Sequence, residues 1–458
     1  MKTTHSTIAA IATPNTVGSV AVIRISGDDA HIVAAKVFRA DVSEMAGYTA
    51  KYGEIHDNGE LIDDGVLLVF RAPKSYTGEN IAEITCHGGV FIARRVLQAC
   101  LNAGAVLAQP GEFTKRAVLN GKMTLTQAES VLDVINAVSE QYLACANAQK
   151  SGSLYRKVEQ ICEILLGISS QIAAWLDYHE EAIDSFETSS HLGQLADCQL
   201  QLSLLLKTYD IARTMREGVV TAIVGKPNAG KSTIMNLLTR SERSIVTDIP
   251  GTTRDIVQET ISLDGAVLRL CDCAGIRETS DTVEQIGIEY MYRQIDESSL
   301  ILAVFDNSRA LEKDDYALLE RIKGKNAICV INKSDLPNKL DFGLLSTQFP
   351  PKSGRVVEVC AKNPHALEQL SAIIGKVYEV SALDLSAGFA ANERQRACIE
   401  EAVGILSEVI AGIESGSAPL DATGFLLESA LDALYRLSGK STSEAIIDEV
   451  FRQFCVGK

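Results

Sequence analysis

The chain is 458 residues long, with a formal net charge of −16 and 46% hydrophobic residues, an ordinary globular composition on a length too great for one compact core. The acidic balance argues against a broad nonspecific nucleic-acid surface, so any such contact needs a local basic patch or a partner protein. No apolar run approaches the roughly twenty residues that cross a bilayer, and the patch Ile8 to Ala12 is too short and Thr-rich for a secretion signal, so a cytoplasmic chain without membrane contact is expected.

Residues 1 to 120 carry strand-like runs at Val20 to Ile25, Val66 to Phe70 and Ile81 to Cys86, with one helical stretch around Phe91 to Asn102, which predicts a small α/β domain. His87, beside Gly88-Gly89, reads as a turn histidine near a ligand pocket, with catalysis as the weaker alternative. Residues 121 to 217 are poor in proline and place Ile161, Leu165, Ile168, Ile172, Trp175 and Leu176 at helical spacing, the core stripe of a helical bundle. Nucleotide motifs fill residues 218 to 380, and helical periodicity returns from Asn392 to Phe454, within a second helical part spanning 381 to 458. The expected fold is multidomain, α/β plus α, with a phosphate-loop domain inserted into a helical domain whose two parts pack together. The eleven cysteines include no C-x-x-C pair and are expected to be free, mostly buried thiols rather than a zinc site.

The run Gly225-Lys226-Pro227-Asn228-Ala229-Gly230-Lys231-Ser232 follows the apolar strand Val219 to Val224 and precedes a helix-like segment, the context in which G-x-x-x-x-G-K-[ST] binds phosphate. Successive amides and the helix N-terminus would surround phosphate oxygens. Lys231 would reach the β- and γ-phosphates, and the Ser232 hydroxyl would join the shell of Mg2+. Downstream, the apolar run Ala327 to Ile331 ends in Asn332-Lys333-Ser334-Asp335. The Asp335 carboxylate is an acceptor-only fork that matches the adjacent donors of guanine and opposes adenine. GTP is therefore the expected nucleotide. Between these motifs, Asp272-Cys273-Ala274-Gly275 ends a hairpin strand, Val267 to Cys271, turned at Asp264-Gly265; Asp272 would hold Mg2+ through water and the Gly275 amide would sense the γ-phosphate.

The polar stretch Thr247-Asp248-Ile249-Pro250-Gly251-Thr252-Thr253-Arg254-Asp255 has the position of a switch loop, with Thr253 as the second hydroxyl for Mg2+. After a last strand, Val356 to Val359, the run Cys360-Ala361-Lys362 offers amides to the guanine carbonyl oxygen. Lys231 and Thr253 belong to the expected catalytic set. The position that often carries a water-orienting glutamine is Ile276, so that role falls to the charged run after it, where Arg277, Glu278, Asp281 and Glu284 are available. Positive charge on the β–γ bridge oxygen must come from an arginine, with Arg254 a candidate, or from a metal cation.

Together these residues resemble the MnmE (TrmE) family of tRNA-uridine-modification GTPases. The resemblance rests on Gly225 to Thr233 with Asn228 in the loop, on Gly251-Thr252-Thr253-Arg254-Asp255, on Asp272 through Glu284, and on the terminal Phe454-Cys455-Val456-Gly457-Lys458. It extends through Ile23-Arg24-Ile25-Ser26-Gly27, Tyr76-Thr77-Gly78-Glu79, His87-Gly88-Gly89 and Pro110-Gly111-Glu112-Phe113 to nearly the whole chain. Departures fall at Cys273, at Asn15 to Ser19 where the family is richer in glycine, and at Asn392 to Arg396.

The resemblance implies that Asn228, Thr247, Ile249 and Thr252 coordinate K+ when two GTPase domains meet, and that Glu284 orients the attacking water. It implies that Arg24, Glu83 and Lys122 hold 5-formyl- or 5,10-methylene-tetrahydrofolate in an N-terminal folate-binding and dimerisation domain, with Lys458 near that pocket. It further implies a homodimer, an FAD-dependent partner, MnmG, and a tRNA substrate whose wobble uridine gains an aminomethyl or carboxymethylaminomethyl group at C5. The nucleotide set then comprises Asn228, Ala229, Gly230, Lys231, Ser232 and Thr233; Thr247 through Thr253; Asp272 through Gly275; Asn332, Lys333 and Asp335; and Cys360, Ala361 and Lys362. A ribosome-assembly or signalling switch is the alternative, but no KH-like G-x-x-G segment follows the GTPase motifs.

Overall fold

The structure is a computed structural model describing residues 6–39, 41–42, 44–177, 188–239, 258–263, 266–271, 291–341, 343, 345, 348–349, 354–377, 389–416, 419–441, 450–452, 454 and 457. It divides into two compact units, one of residues 1–132, 149–199 and 401–458 and one of 133–148 and 200–400. Among the described residues no helix is long and apolar enough to cross a membrane.

The first unit holds a six-stranded sheet ordered β3-β4-β5-β2-β1-β6, from β1 (Ile8–Ile11), β2 (Val20–Ser26), β3 (Thr49–Asp57), β4 (Glu60–Phe70), β5 (Ile81–His87) and β6 (Val106–Leu107). Neighbours run antiparallel except β1 and β6. Strand alternation sends Ile23, Ile25, Leu67, Val69 and Ile84 to one face. There α1 (Ala30–Val37) and α2 (Val90–Asn102) cover them with Val33, Val37, Ala93 and Val96. The opposite face carries Arg24 and Glu83, cross-strand partners between β2 and β5.

Two differences from expectation arise here. The N-terminal region has three helices rather than one, because α1 and α3 (Glu112–Leu119) are each eight residues long, too short for a periodic signal. β4 begins at Glu60, and β3 pairs with it, in a hairpin turned at Asn58-Gly59 with φ of 51° and 90°. Both strands are largely exposed there and lack an apolar face to reveal them.

The helical part of this unit includes α4 (Leu125–Ile135), whose Leu125, Ala128 and Val131 pack with Phe451 and Phe454, and α6 (Ser153–Asp177), which packs along α12 (Leu420–Ser438). The stripe Ile161, Leu165, Ile168 and Ile172 is buried as expected, but Leu176 is 42% exposed and Trp175 only partly covered. The core therefore ends one turn before the helix does.

The second unit is built on a sheet ordered β12-β11-β10-β7-β9-β8, from β7 (Val219–Val224), β8 (Gln258–Leu263), β9 (Ala266–Cys271), β10 (Leu300–Asp306), β11 (Ala327–Asn332) and β12 (Val356–Glu358). All neighbours are parallel except the β8–β9 hairpin. Every residue of β10 and β11 is buried, as a parallel sheet covered on both faces requires. Leu302, Val304, Ile328 and Val330 face a core shared with α8 (Lys231–Thr239) and α10 (His365–Val377). Ile301, Ala303, Phe305 and Ile331 face α9 (Lys313–Ile322). The helix α7 (Leu192–Glu217) runs through Gly218 into β7; its Ala212 and Met215 pack with Tyr142 of α5 (Glu140–Lys150) and Phe389, ahead of α11 (Glu393–Ser415). The carboxyl ends of β7, β10 and β11 are where ligands bind in open parallel sheets.

Candidate functional site

Gly225 to Gly230 form the turn between β7 and α8. Three of its residues have left-handed backbone, Gly225 at φ 146°, Asn228 at 64° and Gly230 at 100°. A Cβ on Gly225 would stand 2.3 Å from the Val304 carbonyl oxygen, and one on Gly230 would stand 2.0 Å from Nδ2 of Asn332. Both positions thus require glycine for space as well as conformation. The Lys231 ammonium lies across the turn and donates to the carbonyls of Gly225 at 2.8 Å and Lys226 at 2.9 Å. Ser232 and Thr233 are exposed on the first turn of α8.

Asn332, 3% exposed at the end of β11, joins this turn to the Cys360-Ala361-Lys362 segment. Its amide donates to the Ala229 carbonyl at 2.9 Å, while its side-chain oxygen accepts from the Ala361 amide at 3.1 Å. One carboxamide therefore fixes the spacing between the phosphate turn and the Cys360-Ala361-Lys362 loop. A cavity of about 480 Å³ opens between them, lined by Asn228, Gly230, Lys231, Ser232 and Thr233 on one side and by Asn332, Lys333, Asp335, Cys360, Ala361 and Lys362 on the other. Its size suits a small-molecule ligand, and Asp335 is exposed at its rim. The Asn228 amide oxygen and Ser232 hydroxyl are hard oxygen donors of the kind Mg2+ and K+ take. The expected residues Thr247 through Asp255, the turn Asp264-Gly265, Asp272 through Gly275, Ile276, Arg277, Glu278, Asp281, Glu284, Cys455 and Lys458 lie outside the described residues.

On the open face of the N-terminal sheet, Arg24 Nε donates to Glu83 at 2.7 Å, and both side chains are about one-fifth exposed (19% and 20%). The guanidinium lies 5.6 Å from the Tyr76 ring and 5.7 Å from the Phe113 ring, and its Nη1 donates to the Gly457 carbonyl at 3.3 Å. Arg24, Glu83 and the C-terminal tail thus meet at one place. A guanidinium and a carboxylate beside two aromatic rings can take a planar, polar ligand. Lys122 instead crosses over Gly78, whose Cβ would meet it at 3.2 Å, and donates to the Pro73 carbonyl at 3.1 Å.

The sequence reading missed Arg116, whose side chain is only 5% exposed between Glu79 at 3.3 Å and Glu112 at 2.8 Å. Glu79 also accepts from the Ser26 hydroxyl at 2.7 Å. The spacing of Glu112 and Arg116, four apart on one helix, was the available signal. His87 ends β5 with its side chain 64% exposed. Its Nδ1 lies 2.8 Å from Asp63, which also accepts from the His87 amide, and the hydrogen bond and charge of that carboxylate raise the imidazole pKa. The nine described cysteines are free, and eight are buried; burial pushes the Cys100 and Cys329 thiols up to about 12.

Residues 7–122 match the family model for the N-terminus of the GTP-binding protein TrmE, and residues 125–455 match that for the MnmE helical domain. Among solved structures, the G domain of the T. maritima FeoB iron transporter is 25% identical, covering 35% of this chain and 98% of that one at a TM-score of 0.26, too low to bear on the assignment. The tRNA modification GTPase MnmE of Enterococcus faecalis is 39% identical over 99% of this chain and 98% of its own length. That of Levilactobacillus brevis is 37% identical over 100% and 99%. With two family models and full-length relatives in agreement, the chain belongs to the MnmE family of tRNA modification GTPases.

Proposed function

We propose that the chain is a potassium-activated GTPase that, with the FAD-dependent partner MnmG, modifies C5 of the wobble uridine U34 in certain tRNAs. The product is an aminomethyl or carboxymethylaminomethyl group built from a tetrahydrofolate one-carbon unit. The observation that carries the nucleotide half is the Asn332 carboxamide, which spans Ala229 and Ala361 at the cavity where Asp335 stands. In this reading residues 218–380 are the GTPase domain, 121–217 and 381–458 the helical domain, and 1–120 the folate-binding and dimerisation domain. The protein acts in the cytoplasm as a homodimer, and tRNA is met through a local basic patch or through the partner.

The turn amides and Lys231 hold the β- and γ-phosphates, Asp335 pairs with the guanine edge, and the Ala361 amide meets the guanine carbonyl. Ser232, Thr253 and, through water, Asp272 would offer oxygens to Mg2+, while Asn228, Thr247, Ile249 and Thr252 would offer theirs to K+. These cations supply positive charge to the triphosphate and its β–γ bridge oxygen. Glu284 orients the attacking water, and Thr253 and the Gly275 amide leave the γ-phosphate position after hydrolysis, which lets paired GTPase domains separate. Arg24, Glu83, Lys122 and Lys458 would hold the folate, which would supply the one-carbon unit, with the redox step falling to the FAD-dependent partner.

Turnover of GTP by the full chain in KCl and NaCl tests this reading. Potassium is expected to raise the rate, and Glu284→Ala to stop turnover with GTP affinity nearly unchanged; equal rates in both salts, or an active Glu284→Ala enzyme, overturn it. For the second half, labelled 5-formyl-tetrahydrofolate is expected to bind the full chain and to be lost from Arg24→Met, and retention by the variant contradicts the folate assignment.

A further inference from the structure

Two side chains at the end of β10 hold the base-binding loop, and the motifs read from the sequence do not include them. Asp306 is the register partner of Asn332 across the β10–β11 pair. Its carboxylate, 6% exposed, accepts from the Lys333 ammonium at 2.6 Å and from Arg309 Nε at 3.1 Å. Lys333 is left-handed at φ 61°, an unfavourable conformation for a residue with a Cβ, and it turns the side chain back toward Asp306. The next residue, Asn307, is 5% exposed. Its backbone amide donates to the Asn332 carbonyl at 2.9 Å, and its side-chain amide donates to the Leu336 carbonyl at 3.2 Å. Burial pushes the Asp306 carboxyl upward, but hydrogen bonds from Lys333, Ser308 and Arg309 outweigh it and keep the group ionised well below the ordinary carboxylate range. Arg309 continues to the Pro227 carbonyl of the phosphate turn at 3.3 Å.

We propose that Asp306 and Asn307 are positioning residues for guanine recognition, clamping the Asn332 to Leu336 segment on both sides of Asp335. Held by its ammonium, Lys333 presents its four-carbon stem as a fixed apolar wall of the cavity it lines, and Asp335 is carried on a loop whose two flanks cannot drift. This rests on the guanine-nucleotide reading of the same cavity.

The test is GDP binding to the full chain by titration calorimetry. Asp306→Asn is expected to weaken GDP about tenfold by loosening Lys333, and Asn307→Ala to weaken it in the same titration by releasing the Leu336 carbonyl. In a Lys333→Ala background, Asp306→Asn is expected to change affinity by less than about twofold, since the clamp acts through that lysine. In an Asp335→Asn background that prefers xanthine, it is expected to weaken XDP by the same factor as GDP in the parent. Unchanged GDP affinity in Asp306→Asn overturns the proposal, as does an equal loss in the Lys333→Ala background, which marks general damage to the fold. A parent chain that binds no guanine nucleotide overturns the guanine reading itself, a result distinct from either.

Discussion

At the turn between β7 and α8, the shape depends on main chain from one contiguous run: Gly225, Asn228 and Gly230 at positive φ, with the Asn332 carboxamide, the Lys231 ammonium and Arg309 bonded to the turn carbonyls. On the face of the N-terminal sheet that carries Arg24, the converging groups are side chains drawn from distant segments: Arg24 from β2, Glu83 from β5, Phe113 from α3, and the Gly457 carbonyl from near the end of the chain, while α3 also carries Arg116, buried between Glu79 and Glu112. A site made of backbone tolerates almost no Cβ where the chain turns, so a substitution there displaces the groups around the cavity. A site made of buried charged side chains depends on mutual neutralisation, so removing one member strands its partners. Substitution is therefore expected to cost the first region binding and the second region stability.

The largest expected effect is in the N-terminal network. Arg116→Met leaves Glu79 and Glu112 facing one another with little solvent, a loss of about 3 kcal/mol, seen by calorimetry as a lower unfolding midpoint with GDP affinity unchanged. An unchanged midpoint would remove the contrast between the regions. Gly230→Ala probes it from the other side: a Cβ 2.0 Å from the Asn332 amide must displace a carboxamide that lines the cavity, which is expected to weaken GDP about tenfold or more, with strain of about 1–3 kcal/mol lowering the unfolding midpoint by less than Arg116→Met does. Asn332→Ala leaves the Ala229 carbonyl and Ala361 amide unpaired, at about 1–3 kcal/mol, and is expected to weaken GDP about tenfold.

The smallest effect lies at His87. Asp63 raises its pKa above the ordinary 6.5, so the pair is complete below 6.5 and fades as pH rises through the raised value. An NMR titration of the imidazole should give a value above 6.5 in the parent and a lower one in Asp63→Asn; identical titrations would deny the pair any role in solution.

The same contrast explains what could be read in advance. Val219 to Val224, the turn after it, Ala327 to Asn332 and Asp335 are contiguous runs in which strand periodicity and turn chemistry speak together, and the structure places the turn, Asn332 and Asp335 around one cavity at the strand ends. The pairing of Arg24 with Glu83 is invisible to local pattern because it depends on the register between β2 and β5; only the family resemblance drew the two residues together. The hairpin of β3 and β4 did carry a local signal in Asn58-Gly59, but β3 and the first half of β4 are mostly polar and partly or fully exposed, so a strand pattern shows only from Val66. The end of α6 erred in the other direction: apolar spacing continues to Leu176, while the packing surface stops at Ile172.

The most direct test of the nucleotide assignment is the base preference of Asp335→Asn. The parent chain should hydrolyse GTP in preference to XTP, because the carboxylate matches the guanine donors, and the variant should reverse that order, because an amide can donate to the extra carbonyl of xanthine. A variant that keeps the parent's preference for GTP would contradict the account.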